Sequence, residues 1–337
     1  MSDWQQRDTW LPISLKKSIP PFSLDPTLTF YCPQENVEAF DHPAIAAFHT
    51  YLRSEYQPPA VEGETVLLLL PCTKTKPYTL SKEHLAVNHF LLELGFKPRG
   101  EAGYPPELAA HVPEPYSPDT IHTGPLVRDG LTIHRMVVSE PMGLVPYEDV
   151  YFWRGELSPA SRYDDPGLFE HRGTAVCLWR PDHTAKPLGD GKYGWGPAER
   201  AAYVKAHNYL SELIAVTLHR LRPHYRRIVA YVSPKLTHRS FLTNRAEKQA
   251  NGIPRWKATD LGRESLVGVN DRVPGLVNVT PSATELLDIK TELSRRLAEA
   301  GEDSPSRVQA YFASGGGGAT PLILPEALAV LERHLIG

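Results

Sequence analysis

The sequence predicts an α/β architecture, a sheet flanked by helices, and three observations carry that expectation. Short apolar runs at 65–70, 131–138 and 228–232 have the length of buried strands. Apolar residues at helical spacing fill 81–94 and 197–222 between those runs. Strands alternating with helices build sheets covered by helices. The three strands also end in polar loops, at 71–81, 139–148 and 233–239, and if the strands are neighbours the loops converge on one pocket.

Taken in order, residues 1–40 read as a Pro-rich, irregular extension with Trp4 and Trp10 as anchors. A helix is expected over 41–56, with Asp41 as N-cap, Pro43 in the first turn, and Ile45, Phe48 and Leu52 on one apolar face. After the strand at 65–70, Ser81 has the character of an N-cap for a helix through Leu94, and Gly95 is its stop. Residues 97–125, rich in Pro, Tyr and His, read as a long ordered loop. The strand at 131–138 leads into a Gly/Pro loop carrying Glu140. Cys177-Leu178-Trp179 reads as a short strand, and the Gly-rich segment 189–196 as a hairpin or lid. Pro197 opens a helix over 197–222, with Ala201, Val204, Leu210, Leu213, Ile214 and Val216 at helical spacing, and Pro223 stops it. A third strand follows at 228–232, then a helix over 237–250. Beyond Gly252 only 281–300 and 321–335 read as helices, with 314–318 as a joint. The expected division is a 1–40 extension, a 41–250 α/β catalytic module and a 251–337 helical C-terminal extension.

Composition narrows the class. Three cysteines, Cys32, Cys72 and Cys177, are odd in number and lack metal-ligand spacing, so neither a disulfide framework nor a zinc ribbon is expected. That usage favours a reducing interior, and a cytoplasmic location is expected. Neither a signal peptide nor a membrane span is legible, because the longest aliphatic run is only 66–70. A net charge of −3 announces no overall basic field, so any nucleic-acid contact has to come from a local patch.

The densest chemistry lies in 71–84, where Cys72, Lys74, Lys76, Tyr78, Ser81 and His84 share a strand-to-helix loop. Nearby lysines favour the thiolate of Cys72, which makes it a candidate nucleophile. Lys76 is suited to hold a phosphate or carboxylate, and His84 or Tyr78 to move protons. The bland alternative is a buried structural thiol beside a packed histidine and a stacked tyrosine.

Pro71-Cys72, Lys76-Pro77-Tyr78, Ser81 and His84 stand at the spacing PC-x3-KPY-x2-S-x2-H. This resembles the signature of the archaeosine synthase family. Glu140 to Pro146 and Pro159 to Asp164 resemble later segments of that family more faintly, so the likeness covers about 65–235. The resemblance implies a three-layer parallel sandwich similar to uracil-DNA glycosylases. It also implies a transferase that adds the side-chain amine of free lysine to the nitrile of 7-cyano-7-deazaguanine in tRNA, with a separate radical enzyme completing the product. On this likeness Cys72, Lys76, Tyr78, Ser81 and His84 are catalytic candidates, and Pro71, Pro77, Glu140, Gly143 and Asp164 substrate-binding ones. The transglycosylase-like and RNA-binding regions usual in the family are not legible, so a free-standing module is expected, working on tRNA or DNA, alone or with a partner subunit.

Basic residues crowd 219–248, and Arg222, Arg226, Arg227, Lys235 and Arg239 are the nucleic-acid candidates, with Arg255, Trp256 and Lys257 extending the patch. No metal or other cofactor is expected. The competing readings are an enzyme that modifies 7-deazaguanine in DNA, a non-catalytic reader of modified nucleic acid, and a base glycosylase.

Overall fold

The computed structural model describes residues 4–165, 175–189, 191–234, 237–302, 304–313 and 320–337. Lys235 and the joint at 314–318 lie outside them. Its helices are α1 (Trp4–Leu15), α2 (Pro33–Glu38), α3 (Pro43–Thr50), α4 (Lys82–Glu93), α5 (Pro197–Leu221), α6 (Thr237–Leu242), α7 (Arg245–Ala250), α8 (Val269–Arg272), α9 (Ala283–Glu299), α10 (Pro305–Ala313) and α11 (Pro325–Ile336). The central sheet holds β1 (Glu64–Pro71), β2 (Lys97–Pro98), β3 (Leu126–Arg128), β4 (Leu131–Ser139) and β5 (Gly143–Pro146). Three small hairpins are β6 (Phe152–Trp153) with β7 (Glu156–Leu157), β8 (Lys186–Gly189) with β9 (Lys192–Gly194), and β11 (Trp256–Thr259) with β12 (Gly262–Ser265). The sheet is completed by β10 (Arg227–Tyr231) and β13 (Asn278–Thr280).

Strand order in the sheet is β13-β10-β1-β4-β3-β2, with β5 also paired to β4. The β13/β10, β10/β1 and β1/β4 pairings are parallel, so the three strands expected from the sequence are neighbours running the same way. The sheet is only mostly parallel, however. β3 and β5 pair antiparallel with β4, because the connections at 129–130 and 140–142 are too short for a crossover, and β2 pairs antiparallel with β3. Residues 66–70 of β1 are essentially inaccessible, and alternate residues face opposite sides, so both faces of the sheet are covered.

Several local expectations are corrected. Residues 1–40 are not wholly irregular, since α1 and α2 lie there. The helix expected from Asp41 is capped one residue later: His42 Nδ1 accepts from the Ala44 amide at 3.3 Å, and Pro43 takes the first helical position. Ile45, Phe48 and Leu52 are all buried as anticipated. The loop after β4 is a tight hairpin, Ser139 pairing with Gly143. Gly143 has φ +79°, and a Cβ there would stand 2.6 Å from the Leu213 side chain, so both backbone and space require glycine. The stretch 177–179 is a turn, not a strand.

The helix expected over 237–250 is two helices, broken by a reciprocal cap. Asn244 accepts from the Glu247 amide at 2.9 Å while Glu247 accepts from the Asn244 amide at 2.8 Å. The segment after Gly252 is not only helical: β13 is an outer strand of the main sheet, and α11 packs against it and β10. No helix among the described residues is long and apolar enough to cross a membrane.

Candidate active site

The carboxyl ends of β10, β1 and β4 lie side by side, and each delivers one reactive side chain. Cys72 follows β1, Glu140 follows β4, and His238 opens α6 after the loop that follows β10. Cys72 Sγ stands 3.1 Å from His238 Nε2 and 3.7 Å from Glu140 Oε2. The third side closes with His238 Nε2 at 3.3 Å from Glu140 Oε2. His238 and Glu140 are buried, whereas Cys72 retains some exposure. Burial opposes a charge on His238, but Cys72 and Glu140 outweigh it and hold the imidazole pKa well above its usual value. The geometry therefore favours an imidazolium between a sulfur and a carboxylate. Glu140 shares the nitrogen that faces the sulfur instead of holding the opposite one, and His238 Nδ1 is buried with no partner among the described residues.

A second layer surrounds this triangle. Lys76 is almost fully buried, its amine 4.9 Å from the Tyr78 ring centre and 4.5 Å from that of Tyr163, and it donates to the Thr73 carbonyl at 2.5 Å. Burial lowers its pKa, with Cys72 and Asp164 opposing. The Tyr78 hydroxyl is held by Ser139 at 3.1 Å and Tyr163 at 2.9 Å, so its role here is to fix the cage. Asp164 is fully buried and accepts from Lys17 at 2.7 Å. The N-terminal segment thus builds the site, for Lys76 N donates to Lys17 O at 3.0 Å and Ile19 N to Lys76 O at 2.8 Å.

Ser81 caps α4, its Oγ accepting from the His84 amide at 3.3 Å. His84 donates from Nε2 to the Pro71 carbonyl at 2.9 Å, so Nδ1 accepts from the Tyr147 hydroxyl at 2.6 Å. It fixes the end of β1 instead of facing the sulfur. Burial lowers the His84 pKa to about 4. Because the unfolded value is about 6.5, the unfolded chain gains a proton there as pH falls while the folded chain does not. Between about pH 7.5 and about pH 5.5 this removes about 1.3 kcal/mol of stability. Urea titrations at the two pH values are expected to show a His84→Gln variant losing about that much less than the wild type.

The expected nucleic-acid arginines are not brought to this site. Arg227 pairs in register with Val66, at the amino end of β1, roughly 20 Å along the strands from Cys72. Arg226 pairs with Glu64, Arg222 bonds the Tyr225 carbonyl, and Arg227 donates to the carbonyls of His334 at 3.0 Å and Gly337 at 2.8 Å. Arg239 is buried and donates to Val232 O at 3.0 Å and Pro281 O at 2.5 Å. The β11–β12 hairpin, balanced in charge by Lys257 and Arg263 against Asp260 and Glu264, sets cations on aromatic rings. Tyr203 of α5, whose pKa is raised by burial and by Glu140, carries the Lys257 amine 5.1 Å from its ring centre. On the same β11–β12 hairpin, Arg263 stacks 4.3 Å from the half-exposed Trp256 ring centre.

Sequence reasoning missed His238, Lys17 and Tyr163 as site members. His238 had a signal, since it lies in the third of the strand-end loops. Cys72, Glu140 and His238 also present donors of metal-ligating type within 4.8 Å of one another, an arrangement invisible in linear spacing. Comparison of the chain with protein-family models, curated proteins and solved structures finds no match.

Proposed function

We propose that the protein is a transferase that joins an amine to the nitrile of a 7-deazaguanine base in nucleic acid, with free lysine as the amine and tRNA as the favoured polymer. The observation that carries this reading is the 3.1 Å contact that His238 Nε2, from α6, makes with Cys72 Sγ of the loop bearing the archaeosine-synthase-like motif. The thiolate of Cys72 attacks the nitrile carbon, and the nitrile nitrogen takes the proton from His238 Nε2, giving a thioimidate. The amine then attacks that carbon, its surplus proton returns to His238, and the carbon–sulfur bond breaks. The product is a substituted amidine, and thiolate and imidazolium are regenerated. Glu140 holds His238 protonated and turned to the sulfur. The Lys76 cage keeps the loop rigid.

Trp256 with Arg263 offers an exposed ring-and-cation pair on which an unpaired or flipped nucleotide would stack. The competing reader function relied on Arg226 and Arg227, which bond within the fold at the other end of the sheet. The test is mass spectrometry of nucleosides after incubating RNA or DNA carrying the cyano base with candidate amines. A lysine-mass adduct is expected. Released free base with an abasic site would replace this reading by a glycosylase.

A further inference from the structure

The first two cysteine-bearing segments outside the catalytic loop meet in a second place. Cys32 lies at the start of α2, Glu35 is in the first turn of that helix, and Cys177 arrives from the far side of the sequence. Their two sulfurs and a carboxylate oxygen all lie within 4.8 Å of one another. Both thiols are free, and each is no more than 1% exposed. Tyr31 and Trp179, edge to face at 6.3 Å between ring centres, pack around them. Glu35 is held in place from behind: its Oε2 accepts from the Tyr31 amide at 2.7 Å and its Oε1 from Arg7 at 3.4 Å. The same carboxylate lines a cavity of about 410 Å³ that also touches Glu38 and His42.

We infer that Cys32, Cys177 and Glu35 form a zinc(II) site, separate from the catalytic triangle. Two thiolates and a carboxylate are the donors zinc prefers, and tetrahedral zinc at roughly 2.3 Å from sulfur and 2.0–2.2 Å from oxygen needs donors roughly 3.5–3.8 Å apart. That separation falls inside the observed envelope. Ligating carboxylates are oriented by hydrogen bonds from outside the coordination shell, as Tyr31 and Arg7 do here. Binding replaces two S–H bonds by two zinc–sulfur bonds and releases two protons to solvent. A fourth ligand, which the described residues do not supply, would be a water. The ion would tie α2 to the 175–177 segment and so brace the N-terminal region that supplies Lys17.

The decisive measurement is zinc X-ray absorption on the full wild-type chain, purified after equilibration with zinc. Two sulfur and two oxygen scatterers are expected. One sulfur with a nitrogen scatterer would move the ion to Cys72 and His238 and overturn the assignment. So would a protein that retains no zinc, or peptide mapping that finds Cys32 and Cys177 joined as a disulfide. In cobalt(II) titrations, Cys72→Ser is expected to keep the thiolate-to-cobalt absorption. Cys32→Ser and Cys177→Ser should lose it, and Glu35→Gln should weaken binding roughly 10–100-fold. Absorption lost with Cys72→Ser and kept with Cys177→Ser would overturn it as well.

Discussion

A Cys72→Ala enzyme is expected to form the amine adduct at least about a thousandfold more slowly in single-turnover reactions, while its affinity for the nucleic acid stays within about threefold. Cys72 is the triangle's one thiol and its one partly exposed residue, so neither buried partner replaces it in attack. His238→Gln should slow the same step about 10²–10⁴-fold, because the nitrile nitrogen loses its proton source and the sulfur its counter-ion. Wild-type enzyme given the cyano base without an amine should gain the mass of the base at Cys72. Unchanged nitrile consumption by the Cys72→Ala enzyme would end the covalent mechanism, and the triangle would then be no more than a binding wall.

The largest stability effect is expected at Arg135→Met, about 3 kcal/mol lost in urea unfolding. Arg135 is a buried cation whose hydrogen-bond partners are neutral oxygens: Asn88 Oδ1 at 2.9 Å, and the carbonyls of His122 and Gly124, each at 2.7 Å. Its guanidinium also lies 4.2 Å from the Tyr147 ring centre. Burial lowers its pKa, with Tyr147 opposing. Methionine fills the space but leaves three oxygens without donors, each a penalty of about 1–3 kcal/mol, which the relief of a buried charge only partly offsets. Those oxygens anchor the 97–125 loop, so limited proteolysis should cut the variant there first. A variant as stable and as protease-resistant as the wild type would show that the loop is held elsewhere.

Much of the sheet was legible because periodicity reports burial. The runs at 65–70, 131–138 and 228–232 are strands, and 81–94 and 197–222 are helices, nearly to the residue. What escaped was set by partners distant in sequence. Asn278 to Thr280 is a strand of three residues whose identity comes from lying beside β10, and so short a run has no period to read. The α6–α7 break had a local signal, Asn244 three residues before Glu247, which the surrounding helical pattern masked.

The site was half legible for the same reason. Cys72 and Glu140 sit in loops whose chemistry is dense, whereas His238 looked like one of several cations in a basic stretch. Arg222, Arg226 and Arg227 fall at the amino end of β10, away from Cys72, because charge in a sequence does not say which end of a strand it occupies. Lys17 could not have been found, because only the fold lays residues 17–19 along Lys76.

The order β10-β1-β4 has a consequence for synthesis of the protein. Sulfur, carboxylate and imidazole come from positions 72, 140 and 238. A nascent chain still short of Ser233 on the ribosome holds Cys72 and Glu140 but not His238. On the proposed mechanism the sulfur therefore gains its proton partner only after β10 has been made and has joined β1.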